Sequence, residues 1–364
     1  MRALKTLLKL PQILRVRQQL LSDSDAAWAS RIGERALQID GRTLHPRGQD
    51  YIEFLRLLRA PVEQWTVSGM RAAFEMGAKN FAGEVTAGIS TEALQIPLSG
   101  RTLSARKYVP AAQGEGPAPV ILFFHGGGFV IGSIETHDRL CRCLAAAFGS
   151  PVIALDYRLA PEHRLPAAFK DAVDTYAWLI GNGAALGIDP QRISLVGDSA
   201  GAGMALNVCA RAVETNTAPV PAGLGLIYPP FGFGHRTPSK SRLENEEIIL
   251  NKALLDWFAD HCLPDDMSRL PEIETDFSRF PPTSIYTCGF DPLRDEGALL
   301  AKRLKDTGAR VEYQEIEHLF HGFATLGALF PEVQQMADEL GAFLAHVPNQ
   351  SVEAPSTERA VQSA

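Results

Sequence analysis

From residue 120 onward, short apolar runs alternate with amphipathic stretches of helical spacing. Val120–Phe124, Val152–Leu155, Ile193–Val196, Leu224–Tyr228, Ser284–Cys288 and Val311–Ile316 predict strands, the most apolar of them buried on both faces. Residues 136–148, 166–181, 200–214, 293–307 and 329–346 predict the helices between and after them. Strands that take turns with helices make a mostly parallel sheet covered on both faces, an α/β fold. Ahead of this region the period changes to two: Leu94–Leu98 and Leu103–Val109 flank Ser99-Gly100 as a hairpin, followed by a Gly/Pro/Ala-rich linker over 110–119. Residues 45–85 predict two or three helices. The first carries Tyr51, Phe54, Leu55, Leu57 and Leu58 and ends at Pro61; the next covers Met70–Met76, with Thr66 or Ser68 as its cap. Residues 229–280 break the rhythm with aromatic, proline and charged residues and one helix around Ile248–His261. An excursion of that length in a compact domain usually serves a site, and its Phe231, Phe233 and Trp257 are expected to partner the apolar stripe of residues 45–85. The Ser/Pro/Glu-rich tail, 348–364, is expected to be disordered.

Composition narrows the class. A net charge of −7 and a pI near 5.8 argue against nucleic-acid binding, which needs a basic surface. The five cysteines (Cys141, Cys143, Cys209, Cys262, Cys288) are odd in number and scattered. Cys141-X-Cys143 has no second pair to complete a zinc site, so free thiols in a reducing, cytoplasmic setting are expected. Residues 1–21 carry Arg2, Lys5, Lys9, Arg15 and Arg17 and no acidic residue. Basic residues and Pro11 interrupt the apolar positions too often for a signal peptide or a spanning helix. A packed or frayed helix is preferred over an amphipathic helix lying on a membrane surface. Nothing in the chain specifies an oligomeric state.

The chemistry gathers in four places. Gly197-Asp198-Ser199-Ala200-Gly201 joins the Ile193–Val196 strand to an alanine-rich helix, the pattern of a nucleophile elbow. Side chains at the two glycines would collide with neighbouring strand and helix, and the helix N-terminus offers free N–H groups to a negative charge. His125-Gly126-Gly127-Gly128 follows the Val120–Phe124 strand and matches the HGGG-type oxyanion loop. A serine nucleophile also needs a base and a residue to orient it. Asp291 lies just past the Ser284–Cys288 strand and His321 just past the last one, both at carboxyl ends, where open α/β sheets place their sites. Asp295 and His318 are their rivals. Asp295 falls inside the following helix, as a partner of its dipole, whereas Gly322 leaves room for a tight turn beside His321. The elbow points Asp198 away from Ser199. His45, His137, His163, His235, His261 and His346 read as surface or core residues, and no cluster has metal-ligand spacing.

With these residues in place, the sequence resembles the hormone-sensitive-lipase family of α/β-hydrolases. The resemblance rests on His125-Gly-Gly-Gly-Phe129, Asp156-Tyr-Arg-Leu-Ala-Pro-Glu-His-Arg-Leu-Pro-Ala167, Gly197-Asp-Ser-Ala-Gly201, Asp291-Pro-Leu-Arg-Asp-Glu296 and His321-Gly-Phe323, and runs from about residue 45 to 346. It implies an α/β-hydrolase fold with a helical cap and a serine carboxylesterase acting on a small-molecule ester. Ser199 is then the nucleophile, His321 the base and Asp291 its orienter, with Gly127, Gly128 and Ala200 giving the oxyanion N–H groups. It implies no cofactor, and it makes Arg158 and Glu162 members of buried pairs. The expected organisation is a cap segment over 1–90 and a catalytic domain over 91–347, with 229–280 as a cap excursion. Ala202 stands where the family usually has a second glycine. Amide, lactone or carbamate hydrolysis, and a non-catalytic receptor, are the alternatives on the same fold.

Overall fold

A computed structural model describes residues 2–58, 60–112, 116–231, 236–267 and 273–347, without the side chains of residues 2–10, 12, 31 and 34. The tail expectation therefore lies outside the described residues, as does Phe233. In chain order come α1 (Arg2–Ser22), α2 (Asp25–Ile32), a two-stranded ribbon of β1 (Gln38–Ile39) and β2 (Arg42–Thr43), α3 (Pro46–Leu58) and α4 (Val67–Phe81). Then follow the hairpin β3 (Ile89–Leu98) and β4 (Arg101–Pro110), β5 (Ala118–Phe124), α5 (Asp138–Phe148), β6 (Val152–Leu155), α6 (Ala167–Asn182), β7 (Ile188–Asp198), α7 (Ala200–Thr215) and β8 (Leu224–Ile227). The remainder is α8 (Pro238–Leu243), α9 (Lys252–Cys262), β9 (Thr283–Phe290), α10 (Arg294–Asp306), β10 (Val311–Phe320) and α11 (Glu332–Ala345).

Eight strands form one sheet in the order β10-β9-β8-β7-β5-β6-β4-β3. β10 through β6 run parallel; β4 pairs antiparallel with both β6 and β3. Alternation along the strands divides the core in two. Val120, Leu122 and Phe124 of β5 pack into one apolar layer with α6, α7 and α10, while Ile121 and Phe123 enter the other with α3, α5 and α11. Both faces are thus sealed, which is why these strands read as unbroken apolar runs.

The amphipathic segments ahead of the sheet supply the wall of the site. Thr66 caps α4 by accepting from the Gly69 N–H at 3.1 Å. Tyr51 and Phe54 of α3 meet Phe81 of α4 edge-on, with ring centres 5.4 and 5.9 Å apart. α1 packs on α3, burying Leu20.

Two expectations change. The ring contacts of Phe231 are with Phe277 and the Arg303 guanidinium, within the main core. Trp257 does reach the segment of residues 45–85, meeting Trp65 edge-on at 6.3 Å. Glu162 is not in a buried pair: its side chain is 56% exposed and joined to Arg71 of α4 at 2.7 Å. That hydrogen bond, chiefly, lowers its carboxyl to about 2. For Arg158 half of the expectation holds: it is 29% exposed itself but reaches the fully buried Asp171 at 2.8 Å.

Candidate active site

The register of the sheet brings the chemistry together. Phe124 pairs with Gly197, and Phe290 with Phe320, so the residues that follow each leave the carboxyl edge side by side. His125–Gly128, Ser199, Asp291 and His321 are those residues. Four parallel strands, β5, β7, β9 and β10, deliver side chains or turns to this one edge, on the β7 side of β5, where the chain reverses its direction of winding.

Ser199 occupies a strained turn, with φ +51° and ψ −121°. The glycines around it are a packing requirement. A Cβ on Gly197 would lie 2.3 Å from the Gly201 carbonyl carbon, and one on Gly201 would lie 2.0 Å from the Phe124 oxygen. Ser199 Oγ donates to His321 Nε2 at 2.8 Å, and His321 Nδ1 donates to Asp291 Oδ2 at 2.8 Å. Asp291 is fully buried, and its other oxygen accepts from the Leu293 N–H at 2.8 Å. One tautomer of His321 satisfies both contacts, with its proton on Nδ1 and its lone pair facing the hydroxyl. The rivals are occupied elsewhere. His318 Nε2 contacts Glu332 at 2.6 Å, while Asp295 accepts from the Ser239 N–H at 2.7 Å and ties α8 to α10.

Gly127 and Gly128 line a cavity beside Ser199; Ala200 opens α7 beneath the serine and is 3% exposed. None of their three N–H groups donates to an acceptor among the described residues. Both glycines have positive φ, +119° and +59°. The tight turn is closed by Val130 and Ile131, whose N–H groups both donate to the Gly127 carbonyl. Free N–H donors at a strand end and a helix start are the kind of group that can stabilise a developing oxyanion.

Several supporting residues were not singled out by the sequence. Asp198 is buried under the loop of Gly126–Gly128, where it accepts from the Gly126 N–H at 2.7 Å and from Tyr228 Oη at 3.1 Å. His137 Nε2 stands 3.1 Å from the same carboxylate. Burial alone would raise the Asp198 pKa, but His137 and the Gly126 N–H outweigh it, and the net shift is downward. The Tyr228 ring lies 4.4 Å from that of His321. Phe258 of α9 covers Gly128 so closely that a Cβ there would meet its ring at 2.3 Å. Arg71 of α4 donates to the Val130 and Ala160 carbonyls, both at 2.9 Å, and so holds the loop from the other side. Asp198 sits inside the elbow motif; nothing local marks Tyr228, Phe258 or Arg71, because their partners are distant in the chain. Among the described residues, no group of three or more His, Cys, Asp or Glu side chains is placed to hold a metal ion.

His125 provides a measurable pH effect. It is buried between Tyr157 and His137, and its Nδ1 donates to the Gly126 carbonyl at 2.8 Å. Burial first, then electrostatic repulsion from the neighbouring His137 ring, pushes its pKa down to about 3. Between that value and about 6.5 the unfolded chain binds a proton that the native state refuses, so stability present above 6.5 is lost as pH falls. The expected slope for this one group is about 1.4 kcal/mol per pH unit at its steepest. His125→Asn should remove one proton's worth of slope in urea unfolding stepped from pH 7 to 4. An unchanged slope would show that His125 does not titrate as argued.

A mostly parallel sheet carrying a serine on a strand-to-helix turn, with a His–Asp pair at neighbouring strand ends, defines an α/β-hydrolase. A family profile described as alpha/beta hydrolase fold matches residues 121–325. The chain belongs to the hormone-sensitive-lipase-like family of these enzymes and is an ester hydrolase. It is 34% identical over 309 residues to the carboxylic ester hydrolase LipN of Mycobacterium tuberculosis, covering 80% of each chain. Ethyl acetate hydrolase of Pseudomonas putida is 34% identical over 65% of this chain and 76% of its own. Among solved structures, the hyperthermophilic esterase of Pyrobaculum calidifontis superposes with a TM-score of 0.77 at 32% identity, over 83% of this chain and 98% of its own.

Proposed function

We propose that the protein hydrolyses carboxylic esters by an acyl-enzyme route in which Ser199 is the nucleophile, His321 the general base and Asp291 its orienter. The observation that carries this reading is the unbroken chain Ser199 Oγ–His321 Nε2 and His321 Nδ1–Asp291 Oδ2, both at 2.8 Å. As Ser199 attacks the ester carbonyl, its proton passes to His321, and Asp291 stabilises the imidazolium. The N–H groups of Gly127, Gly128 and Ala200 take the charge on the carbonyl oxygen. His321 then returns the proton to the departing alcohol, and water, activated by the same imidazole, releases the acid. An organophosphonate is expected to label Ser199 alone, one per chain, with parallel loss of activity. Full inactivation with no adduct on Ser199 in peptide mass spectra would overturn the assignment.

We read residues 1–90 and 229–280 as a cap over this site. α3 and α4 give Leu55, Leu58, Met70 and Phe74 to the cavity, and the excursion gives Leu250, Leu254 and Phe258. The cavity holds about 690 Å³ and its wall is mainly apolar. Each added methylene of an acyl chain gains about 0.8 kcal/mol while space remains. Past that limit, overpacking costs of roughly 1–3 kcal/mol take over. The expected profile of kcat/KM against acyl length peaks at or below about eight carbons and then falls. A profile still rising with long-chain esters would contradict the roofed pocket and favour a lipid-surface role for α1.

A reducing compartment accords with the cysteines, all five of which are buried free thiols. No helix among the described residues is long and apolar enough to cross a membrane.

A further inference from the structure

The cavity has one feature that ester hydrolysis does not use. Among the described residues lining it, Arg17 of α1 carries the permanent positive charge, and the sole carboxylate, Asp198, is bound to Gly126 and Tyr228. Arg17 Nη2 donates to Asn80 Oδ1 at 3.0 Å, and its guanidinium has no other hydrogen bond or ion pair with a described residue. Asn80 is itself held, donating to the Met76 carbonyl at 2.7 Å one turn earlier on α4. A fork of five donors is therefore oriented by one amide, with most of its hydrogen-bonding capacity free.

The position of this fork can be read from exposure. Leu58 and Met76 line the cavity yet are 47% and 62% exposed, so they mark where it opens to solvent between α3 and α4. Met76 and Asn80 lie four residues apart on α4, on one face of the helix, which sets Arg17 at that opening. The rest of the wall is mainly apolar, with Leu55, Phe74 and Phe81 among its residues, and the same cavity holds Ser199. An apolar passage with a half-buried guanidinium at its mouth suits a substrate with the ester at one end and an anion at the other. The charge stays beside water, where desolvation is small, and a planar carboxylate matches the fork's geometry. A neutral tail gains nothing there.

We propose that Arg17, oriented by Asn80, selects esters that carry a carboxylate on the part of the substrate emerging at this mouth, such as monoesters of dicarboxylic acids. The inference rests on the esterase reading above and names the substrate class of that same site.

The test uses the full chain and 4-nitrophenyl monoesters of straight-chain dicarboxylic acids, each against the methyl-capped compound of equal length. A second arm places the charge on the alcohol, with 4-acyloxybenzoates against their methyl esters. The expected result is a kcat/KM preference for the charged member of at least one matched pair, on the order of tenfold, as for one charge-assisted contact at a partly exposed site. The preference should shrink with salt, fall towards one in Arg17→Met and survive in part in Arg17→Lys. Both members of a pair are assayed on the same sample, so a change in the folded fraction of a variant cancels from the ratio. If Arg17 only fastens α1 to α4, the ratio will be one or below throughout, or unmoved in Arg17→Met, and either result overturns the inference alone. Failure to release nitrophenol from any ester, 4-nitrophenyl acetate included, would overturn the esterase reading and this inference with it.

Discussion

Ser199→Ala or His321→Ala is expected to lower kcat on a 4-nitrophenyl ester by on the order of 10⁵ to 10⁶, with little change in KM. The two losses should not add in the double variant, because nucleophile and base act as one unit. Asp291→Asn is expected to cost about 10⁴. That amide would present either an oxygen or an NH₂ to His321 Nδ1, and the NH₂ form favours the wrong tautomer. The informative control is His318→Ala. His318 stands three residues from His321, but it is 42% exposed and paired with Glu332, so most activity should remain. Steady-state kinetics on the four single variants and the double variant decide the matter. A dead His318→Ala beside an active His321→Ala would reverse the assignment of the base.

Gly127→Ala is expected to lower kcat by about 10² to 10³, the cost of a misplaced oxyanion donor, and to destabilise the fold as well. A Cβ at this position would lie 2.1 Å from the Ile131 carbonyl oxygen, and the φ of +119° is one that L side chains rarely adopt. The backbone must move, and the N–H moves with it. Strain and overpacking together are expected to cost roughly 2–4 kcal/mol. Gly308→Ala separates the two effects. Its φ is +84° but nothing lies within 4 Å of the added atom, so it should cost about 1 kcal/mol and leave kcat untouched. Denaturant midpoints and kcat measured on both variants make the comparison. Wild-type kcat in Gly127→Ala would remove this loop from the oxyanion site.

The order of strands and helices was legible because the sheet is buried on both faces. Wholly apolar runs such as Val120–Phe124 and Val152–Leu155 have few other uses, and the helices between them carry a clear 3.6 period. The ends of elements were less legible. β7 begins at Ile188 rather than Ile193, and β10 runs to Phe320 rather than Ile316. In β10 the polar pair Glu317-His318 falls at a register irregularity between Ile316 and Phe320, which hides the continuation. The helix α8 escaped notice because six residues are too few for a period to show. The segment over residues 22–44, with α2 and the β1–β2 ribbon, has too few regularly spaced apolar residues to be read from its own pattern.

By itself, the sequence determined the α/β class, the strained serine turn and the triplet of Ser199, Asp291 and His321. Each of these depends on local requirements: glycines where a Cβ would strike backbone, and polar residues just after buried strands. Gly201 illustrates the point, since its absent side chain would occupy the place of the Phe124 carbonyl. Only the tertiary structure decided which groups support that chemistry and what surrounds the substrate. Asp198 reaches Gly126 across 72 positions, Arg71 reaches Val130 across 59, and Arg17 reaches Asn80 across 63. Glu162, expected in a buried pair, stands exposed because its partner arrives from α4 at the surface. Such contacts leave no period or motif in the chain, because they depend on where separate helices pack. Packing depends on the shape of the whole apolar surface rather than on any one stretch of residues.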